Sequence, residues 1–529
     1  MTPTRLARSA SVVGLATMSS RLVGLVREQV LAYYFGASDA MDAFRVAVRL
    51  PNLLRDLFAE GAMSSALVPT FTATLTRDGH PRAWQLAHSV FTALTLITGV
   101  VVLAGILFAP DLIRIMAGDF AEVPGKFELT VRLSRIALPF LTLAAVAAAC
   151  MGMLNALGIF FIPALSPAMF NVASILLVVT LVPFADALGL PPIVIVAFGM
   201  LAGGVGQVAL QWPALRRAGY RYRPALDLHD PALRRVLLLM GPGTMGLAAT
   251  QLNVFINTIL ATGEGTGAVS YLDYAFRLMY LPIGIFGISV ATATTPVVSR
   301  LVATGEHHRI GETITHAIGL TALLNIPATL GLIVLAEPII QVIFEHGSFT
   351  AGDTLATAAA LRFYALGLMG YAVARIIAPT FYAMGMSRTP VIISMLSVVV
   401  SVIMNLLLVQ WLSYRGLALS TSVAALVNAS AQVWMLRRAV GALETRALVD
   451  TVLRVLLASG AMSVAAWGGH RVMLTALPGD AIWLQATRLG VAMAAAVAVL
   501  VLAAWTLRVA ALREGVALVT RRLGGGPRG

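Results

Sequence analysis

Residues 19–71 read SSRLVGLVREQVLAYYFGASDAMDAFRVAVRLPNLLRDLFAEGAMSSALVPTF. Apolar residues dominate, yet the stretch carries Arg21, Arg27, Glu28, Asp42, Arg45, Arg49, Arg55, Asp56 and Glu60. The pattern predicts two long helices, 10–34 and 40–72, each of membrane-spanning length, since about 20 apolar residues cross a bilayer. An arginine at bilayer depth costs about 2.5–3.5 kcal/mol on insertion scales, so it is expected to face protein or a water-filled cavity. Asp42, Arg45 and Arg49 fall at i, i+3 and i+7 and form one polar stripe on a helix. Arg21 and Glu28, seven apart, share a face. Arg21 and Arg27 stand about 9 Å apart along an ideal helix and roughly 120° around it. They converge only if Gly24 bends the helix or both side chains reach. Pro51 removes a helix hydrogen bond and is expected to kink the second span.

Outward from this stretch the rest of the chain has the same character. Of 529 residues, 59% are apolar and 12% charged, against roughly 25% charged in a soluble domain; mean hydropathy is +0.87. A soluble fold is excluded. Apolar windows bounded by Pro, Gly and charge predict fourteen spans, near 10–34, 40–72, 84–109, 127–157, 163–184, 191–212, 236–260, 268–299, 310–335, 355–384, 390–412, 416–436, 447–470 and 486–507. The first apolar run is interrupted by Ser19, Ser20 and Arg21, which fits a first span rather than a cleaved signal peptide. The single cysteine, Cys150, excludes a disulfide framework and a cysteine metal site; in its Ala-rich helix it reads as a small packed residue.

The net charge of +13 comes from 36 arginines and one lysine, Lys126. One alternate set of loops, with the tail, holds 21 arginines; the other holds Arg114, Lys126, Arg415, Arg471 and Arg488. The positive-inside rule then places both termini in the cytoplasm, and an even span count agrees. No basic stripe on a soluble domain is available to bind nucleic acid. The sequence also repeats. GLA at 14–16 and AFR at 43–45 recur at 246–248 and 275–277, offset by 232, while Arg135, Gly158 and Pro163 recur as Arg362, Gly385 and Pro390, offset by 227. A repeat of about six spans is even, so both copies share an orientation. The expected fold is an all-α integral membrane protein of about 14 helices: an N-terminal lobe 1–225, a C-terminal lobe 226–440, two further spans in 441–508 and a basic tail 509–529.

Two populations of charge follow. Loop arginines report topology. Arg21, Arg27, Arg55 and Arg277, in the leading spans of the two lobes, are not obviously neutralised by local acids and are the candidate cavity residues; Arg375 lies deep in span ten. The plainer reading, structural ion pairs or side chains reaching an interface, stands level with a site role for Arg45, Arg49 and Asp56. Glu28 and Glu60 read as counter-charges, and Arg135 and Arg362 as interface anchors. A cavity with surplus guanidinium favours an anion, above all a phosphate or pyrophosphate whose oxygens match the planar fork of donors.

With these residues in view, the chain resembles the lipid II flippase (MurJ, formerly MviN) family. DAF, LPNLLR and FAEGA in the quoted stretch carry the resemblance. YAFRLMYLPIGIFGISVATATTPVVS, FEHGSFTAGD and IIAPTFYAMGMSRTPV in the second half follow in the family's order. The resemblance covers essentially the whole chain. It implies the multidrug/oligosaccharidyl-lipid/polysaccharide exporter fold, with the last two helices forming a groove for a polyprenyl tail. It implies transport, in the bacterial cytoplasmic membrane, of an undecaprenyl-pyrophosphate-linked peptidoglycan precursor from inner to outer leaflet by alternating access, and no cofactor; the coupling ion stays open. Membrane lipids are the surrounding partners, and cell-wall synthesis proteins are candidate ones. The family's cavity arginines correspond to Arg21, Arg27, Arg55 and Arg277, its span-two aspartate to Asp42, its FAEGA glutamate to Glu60, and a basic span-ten position to Arg375; Arg49 and Glu28 join the supporting set. One departure is Tyr280, where some members carry an acid three residues after the span-eight arginine, so a gating ion pair through that site is not carried over by the resemblance. Arg45 replaces what is often an apolar position.

The competing readings are a polysaccharide-lipid flippase or a MATE-like drug/cation antiporter, and, from another class, a polyprenyl-phosphate glycosyltransferase. Substrate cations would call for cavity acids, whereas arginines predominate in the first two spans. An enzyme would need a catalytic acid or base; the eight histidines are scattered and no D-x-D-type site stands out. No G-x-x-x-x-G-K-[ST] loop is present, so the expected drive is an ion gradient, the membrane potential or consumption of the lipid.

Overall fold

The computed structural model describes residues 3–57, 63–441 and 443–509. The whole FAEGA motif (58–62), with Glu60, and the tail beyond residue 509 lie outside them. The described residues are helical throughout, without a strand.

The chain packs into two compact units, Met1–Ser270 and Tyr271–Gly529. The first contains α1 (Pro3–Phe35), α2 (Asp39–Ala47), α3 (Arg49–Arg55), α4 (Met63–Leu107), α5 (Ala109–Ala117), α6 (Lys126–Ala137), α7 (Phe140–Ala156), α8 (Phe161–Leu181), α9 (Pro192–Arg217) and α10 (Pro231–Thr262). At the boundary comes α11 (Ala268–Pro282). The second unit continues with α12 (Ile288–Ala303), α13 (His307–Val334), α14 (Ala336–Phe344), α15 (Ala351–Ala365), α16 (Leu368–Ala383), α17 (Arg388–Leu412), α18 (Tyr414–Val440), α19 (Thr445–Ala476) and α20 (Ile482–Thr506).

Ten helices among the described residues are long and apolar enough to cross a membrane, or eleven when α15 and α16, bent by 42°, count as one span. The expected segments fall on helices, several of them broken. Gly79, at φ 79°, interrupts α4 and separates the end of the second segment from the third. The first and seventh segments are α1 and α10, which stand outside those eleven. Pro51 acts upstream of itself. Its ring crowds the carbonyl four residues back, and the helix breaks at Val48 (φ −85°, ψ −5°), between α2 and α3. α1 is continuous through Gly24, which leaves reach of both side chains as the way for Arg21 and Arg27 to converge; Gly24 admits Asn171 of α8, whose Nδ2 lies 3.3 Å from where a Cβ would sit.

The repeat is visible element by element. α5 at 109–117 and α14 at 336–344 differ by 227 at both ends. The turns at Gly158 (φ 78°) and Gly385 (φ 74°) are left-handed, which favours glycine. Each closes its helix with the same bond pair, Gly158 N to Asn155 O and Ile159 N to Leu154 O, against Gly385 N to Tyr382 O and Met386 N to Phe381 O. Arg135 and Arg362, expected as interface anchors, form one repeated staple: Arg135 Nε donates to Ile106 O at 3.2 Å and Arg362 Nε to Ile333 O at 3.3 Å. Each satisfies a carbonyl near the end of the preceding long helix.

Large apolar side chains face outward as well as inward, and polar ones are buried among the apolar cores. Leu176, Leu396, Val464 and Leu502 are exposed, while Ser401, Ser420, Thr321 and Asn325 are fully buried. With hydrocarbon outside, helices associate through close approach of small residues and hydrogen bonds. Thus Ser420 Oγ donates to Ser401 O (2.7 Å) between α18 and α17, Gln211 Nε2 to Ser166 Oγ (3.0 Å) between α9 and α8, and Ser422 Oγ to Phe363 O (2.7 Å) between α18 and α15. Gly370 of α16 is the tightest such approach to backbone on α18: a Cβ there would lie 2.6 Å from the Ala425 carbonyl carbon and 2.7 Å from its oxygen. Gly370→Ala is therefore expected to push α16 off α18 and cost about 1–3 kcal/mol, read as a lowered thermal midpoint of the detergent-solubilised protein; an unchanged midpoint would contradict this packing.

Candidate functional site

Local sequence places each candidate charge on a helix; packing then selects its partner. In the first unit Glu28 of α1 is 1% exposed. Its Oε1 accepts from Arg27 Nη2 at 2.6 Å and its Oε2 from Arg45 Nη2 of α2 at 2.5 Å. Arg27 also lies over the Phe170 ring of α8, 5.4 Å from its centroid. A buried carboxylate thus serves two guanidiniums, the arrangement that makes arginines tolerable among apolar helices. One turn of chain after Pro51, Arg55 Nη2 pairs with Asp56 Oδ1 at 2.6 Å, and the other oxygen of Asp56 accepts from Gln251 Nε2 of α10 at 2.9 Å. Arg21 is half-buried on α1 and makes no ion pair or hydrogen bond among the described residues. Arg49 opens α3 and is half-buried.

Asp42 anchors a second cluster. It is fully buried, and its Oδ1 accepts from Ser270 N (3.0 Å) and Ser270 Oγ (2.7 Å), its Oδ2 from Gly267 N (2.7 Å) and Lys126 Nζ (3.3 Å). Asp42 therefore caps the first turn of α11, where free N–H groups and the helix dipole favour an anion. Lys126 also pairs with Asp39 at 2.6 Å and sits over the Phe120 ring at 4.1 Å. Burial works to raise the Asp39 carboxyl, but hydrogen bonds from Lys126 and Thr266 outweigh it and hold it below its usual range.

Lys126, counted with the sparser set of loops, is 4% exposed and neutralised by two aspartates. Arg488, likewise assigned to a loop, is 6% exposed and folds back to bond Leu477 O and Gly479 O past the end of α19. Both charges are consumed inside the protein, so the sparser set of loops is poorer still in free cations.

In the second unit Arg277 Nε donates to Asp273 Oδ2 at 2.8 Å, an i, i+4 pair on α11. Arg375 of α16 bonds the Tyr280 hydroxyl and lies over that ring, 5.2 Å from its centroid. The structure thus groups Arg27 with Glu28 and Arg45, Arg55 with Asp56 and Gln251, and Arg277 with Asp273. Three of the four candidate arginines hold a local carboxylate, more than the sequence indicated. Asp273 and Gln251 were missed. The i, i+4 spacing of Asp273 and Arg277 was a readable signal; nothing in the sequence pointed to Gln251, 195 residues from its partner. Among the described residues no group of histidine, cysteine and acidic side chains is arranged to hold a metal ion.

The chain can be set beside known proteins on this geometry. Residues 31–487 match the family model described as lipid II flippase MurJ. A probable lipid II flippase MurJ of Bdellovibrio bacteriovorus is 34% identical over 466 residues, covering 87% of each chain. Among solved structures, a lipid II flippase MurJ in an inward closed conformation superposes with a TM-score of 0.75 at 25% identity, covering 94% of this chain and 99% of that one. An inward-facing multidrug resistance MATE family transporter of the MOP superfamily gives 0.68 at 16% identity, covering 82% and 99%, a likeness of fold alone. The helical membrane fold, the arginine-bearing leading spans and a match across most of the length agree: the chain belongs to the lipid II flippase MurJ family of transporters.

Proposed function

We propose that this protein moves lipid II, the undecaprenyl-pyrophosphate-linked peptidoglycan precursor, from the inner to the outer leaflet of the bacterial cytoplasmic membrane by alternating access. The observation that carries the reading is the set of arginines in otherwise apolar leading helices, in a chain of this family. Arg21, Arg27, Arg55 and Arg277 bind the anionic head, and Asp42, Glu60, Arg49, Arg375 and Glu28 support or gate it. Residues 1–225 and 226–440 act as the two lobes. The segment 441–508, helices α19 and α20, takes the polyprenyl tail, and both termini and the tail 509–529 face the cytoplasm. An ion-paired arginine keeps donors for a second anion, since the guanidinium offers five N–H groups and one carboxylate occupies two. The multiply charged pyrophosphate competes for these forks, and the state that binds it better gains population.

This reading ranks the arginines. Arg21, with no counter-charge among the described residues, contributes most to affinity. Arg21→Ala is expected to raise the lipid II concentration needed for half-maximal flipping in proteoliposomes by about 10- to 100-fold, the worth of a charge-assisted hydrogen bond. Arg21→Lys, which keeps charge and loses the bidentate fork, falls between. Full activity of Arg21→Ala, Arg27→Ala and Arg277→Ala alike would overturn the anion-binding role. Depleting the protein should halt wall synthesis and strand precursor on the cytoplasmic leaflet in a cell with no second flippase; normal export there would overturn the assignment itself. A cation-exporting reading is disfavoured by the sign of these side chains.

A further inference from the structure

Arg21 and Arg27 flank Gly24, three positions before it and three after. With 3.6 residues per turn, they leave α1 about 60° to either side of that glycine. α8 packs into the gap between them. Asn171 of α8 is 8% exposed, and its Nδ2 donates to Ser20 O on α1 at 3.3 Å. A carbonyl oxygen has two lone pairs, so Ser20 can accept this bond besides that of its own helix. The approach is tight: a Cβ at Gly24 would stand 3.3 Å from Nδ2 and 3.9 Å from Cγ of Asn171. The residue before it, Phe170, presents its ring to Arg27, 5.4 Å from centroid to guanidinium carbon. That ring is held by two further helices. It packs against Phe140 of α7 at 5.4 Å between centroids, and a Cβ at Gly203 of α9 would lie 2.5 Å from its Cδ2. Two adjacent residues of α8, a helix without a charged side chain, thus touch the turn that carries Arg21 and the guanidinium of Arg27.

We propose that Asn171 and Phe170 are positioning residues for the anion site. Seated on Gly24, they fix the rotation of α1 about its axis, and with it the directions in which Arg21 and Arg27 leave the helix. Side chains stand roughly 5 Å from a helix axis, so a turn of roughly 20° carries them about 2 Å sideways. That is enough to take a guanidinium out of hydrogen-bond range of a phosphate oxygen. The inference rests on the flippase reading above and deepens it: the two arginines are aimed by an uncharged neighbour helix as well as held by their ion pairs. Neither α8 residue is asked to touch substrate, so their loss should appear in affinity more than in turnover.

The test measures lipid II flipping by the purified full-length protein in phosphatidylethanolamine–phosphatidylglycerol vesicles, fitted for half-saturating concentration and maximal rate, with thermal midpoints in parallel. Asn171→Leu keeps the bulk and removes the donor. It is expected to raise the half-saturating concentration about 3- to 10-fold, the worth of one hydrogen bond, with the maximal rate within a factor of two. Phe170→Leu removes the ring face and should raise it about 2- to 5-fold, the worth of an exposed or half-buried cation–π contact. In an Arg27→Ala background Phe170→Leu should have no further effect, because the ring acts through that guanidinium. Gly24→Ala leaves the amide in place but crowds it, and should weaken affinity in the same direction. Combined with Asn171→Ala, it should do no more than Asn171→Ala alone, since both act at one contact. A lowered midpoint with wild-type half-saturation in Asn171→Leu or Phe170→Leu would make the α8 contact structural only and overturn the positioning role. So would a Phe170→Leu effect that persists undiminished in the Arg27→Ala background. If Arg21→Ala and Arg27→Ala are themselves indifferent, the anion-binding reading falls with it; if they are impaired while the α8 variants bind as wild type, only this inference does.

Discussion

Replacing Lys126 with methionine is expected to lower unfolding stability by about 3–5 kcal/mol, the cost of breaking a buried ion pair from one side. The methionine fills most of the lysine's apolar volume, so the loss falls on Asp42. That carboxylate is fully buried and keeps its three bonds from Gly267 and Ser270, but Lys126, its one cation among the described residues, is removed. The contact of Lys126 with Phe120 goes as well, worth about 0.5–2 kcal/mol. The sign of the argument is checkable. If an uncompensated buried charge is what costs, neutralising it must help: Lys126→Met with Asp42→Asn should be more stable than Lys126→Met alone, by at least about 1 kcal/mol. Asn retains an oxygen for the Ser270 donors. Thermal unfolding of the four proteins in one detergent completes the cycle. A double variant no better than the single would show that shape rather than charge holds Lys126 in place.

Lys126 also shows where sequence reading stopped. Its partners lie 84 and 87 residues away, and in one dimension a lysine between two spans is indistinguishable from a topology marker. The repeat was legible because its signal is internal: the offset of 227 that aligned Arg135 with Arg362 also aligns α5 with α14 and the two glycine turns. The polar stripe of Asp42, Arg45 and Arg49 was legible as a pattern and misleading as geometry. The break at Val48 carries Arg49 onto α3, while Asp42 and Arg45 stay on α2 and still part company: Asp42 meets Lys126 and the start of α11, and Arg45 reaches Glu28 on α1. Charge sign and helix face are local properties, and the sequence carries them; partner choice among several nearby acids is set by packing between helices distant in the chain. Hence the arginines, and Glu28 as a counter-charge, could be named from sequence, while the pairing of Arg27 and Arg45 with Glu28, of Arg55 with Asp56 and of Arg277 with Asp273 came from the structure.

The second large effect belongs to Glu28. Glu28→Gln keeps the side chain's size and removes the charge that Arg27 and Arg45 share. Arg45 is 5% exposed and Glu28 1%, so little solvent can substitute, and the expected loss is about 3–5 kcal/mol. Glu28→Asp retains the charge, but a carboxylate one methylene shorter cannot reach Arg27 on its own helix and Arg45 on α2 together, so an intermediate loss is expected. Removing one of the competing cations should offset the damage: Arg45→Met in the Glu28→Gln protein should recover part of the thermal midpoint, whereas Arg45→Met alone should weaken only the α1–α2 contact. The same variants separate structure from transport. Among molecules that remain folded, Glu28→Gln releases the Arg27 fork from its carboxylate, so if Arg27 binds the lipid head the half-saturating concentration should fall as stability falls. Equal midpoints for wild type and Glu28→Gln would mean that the two guanidiniums do not depend on this carboxylate. A midpoint that drops with no change in affinity would keep Glu28 as a structural counter-charge and remove Arg27 from the substrate-binding set.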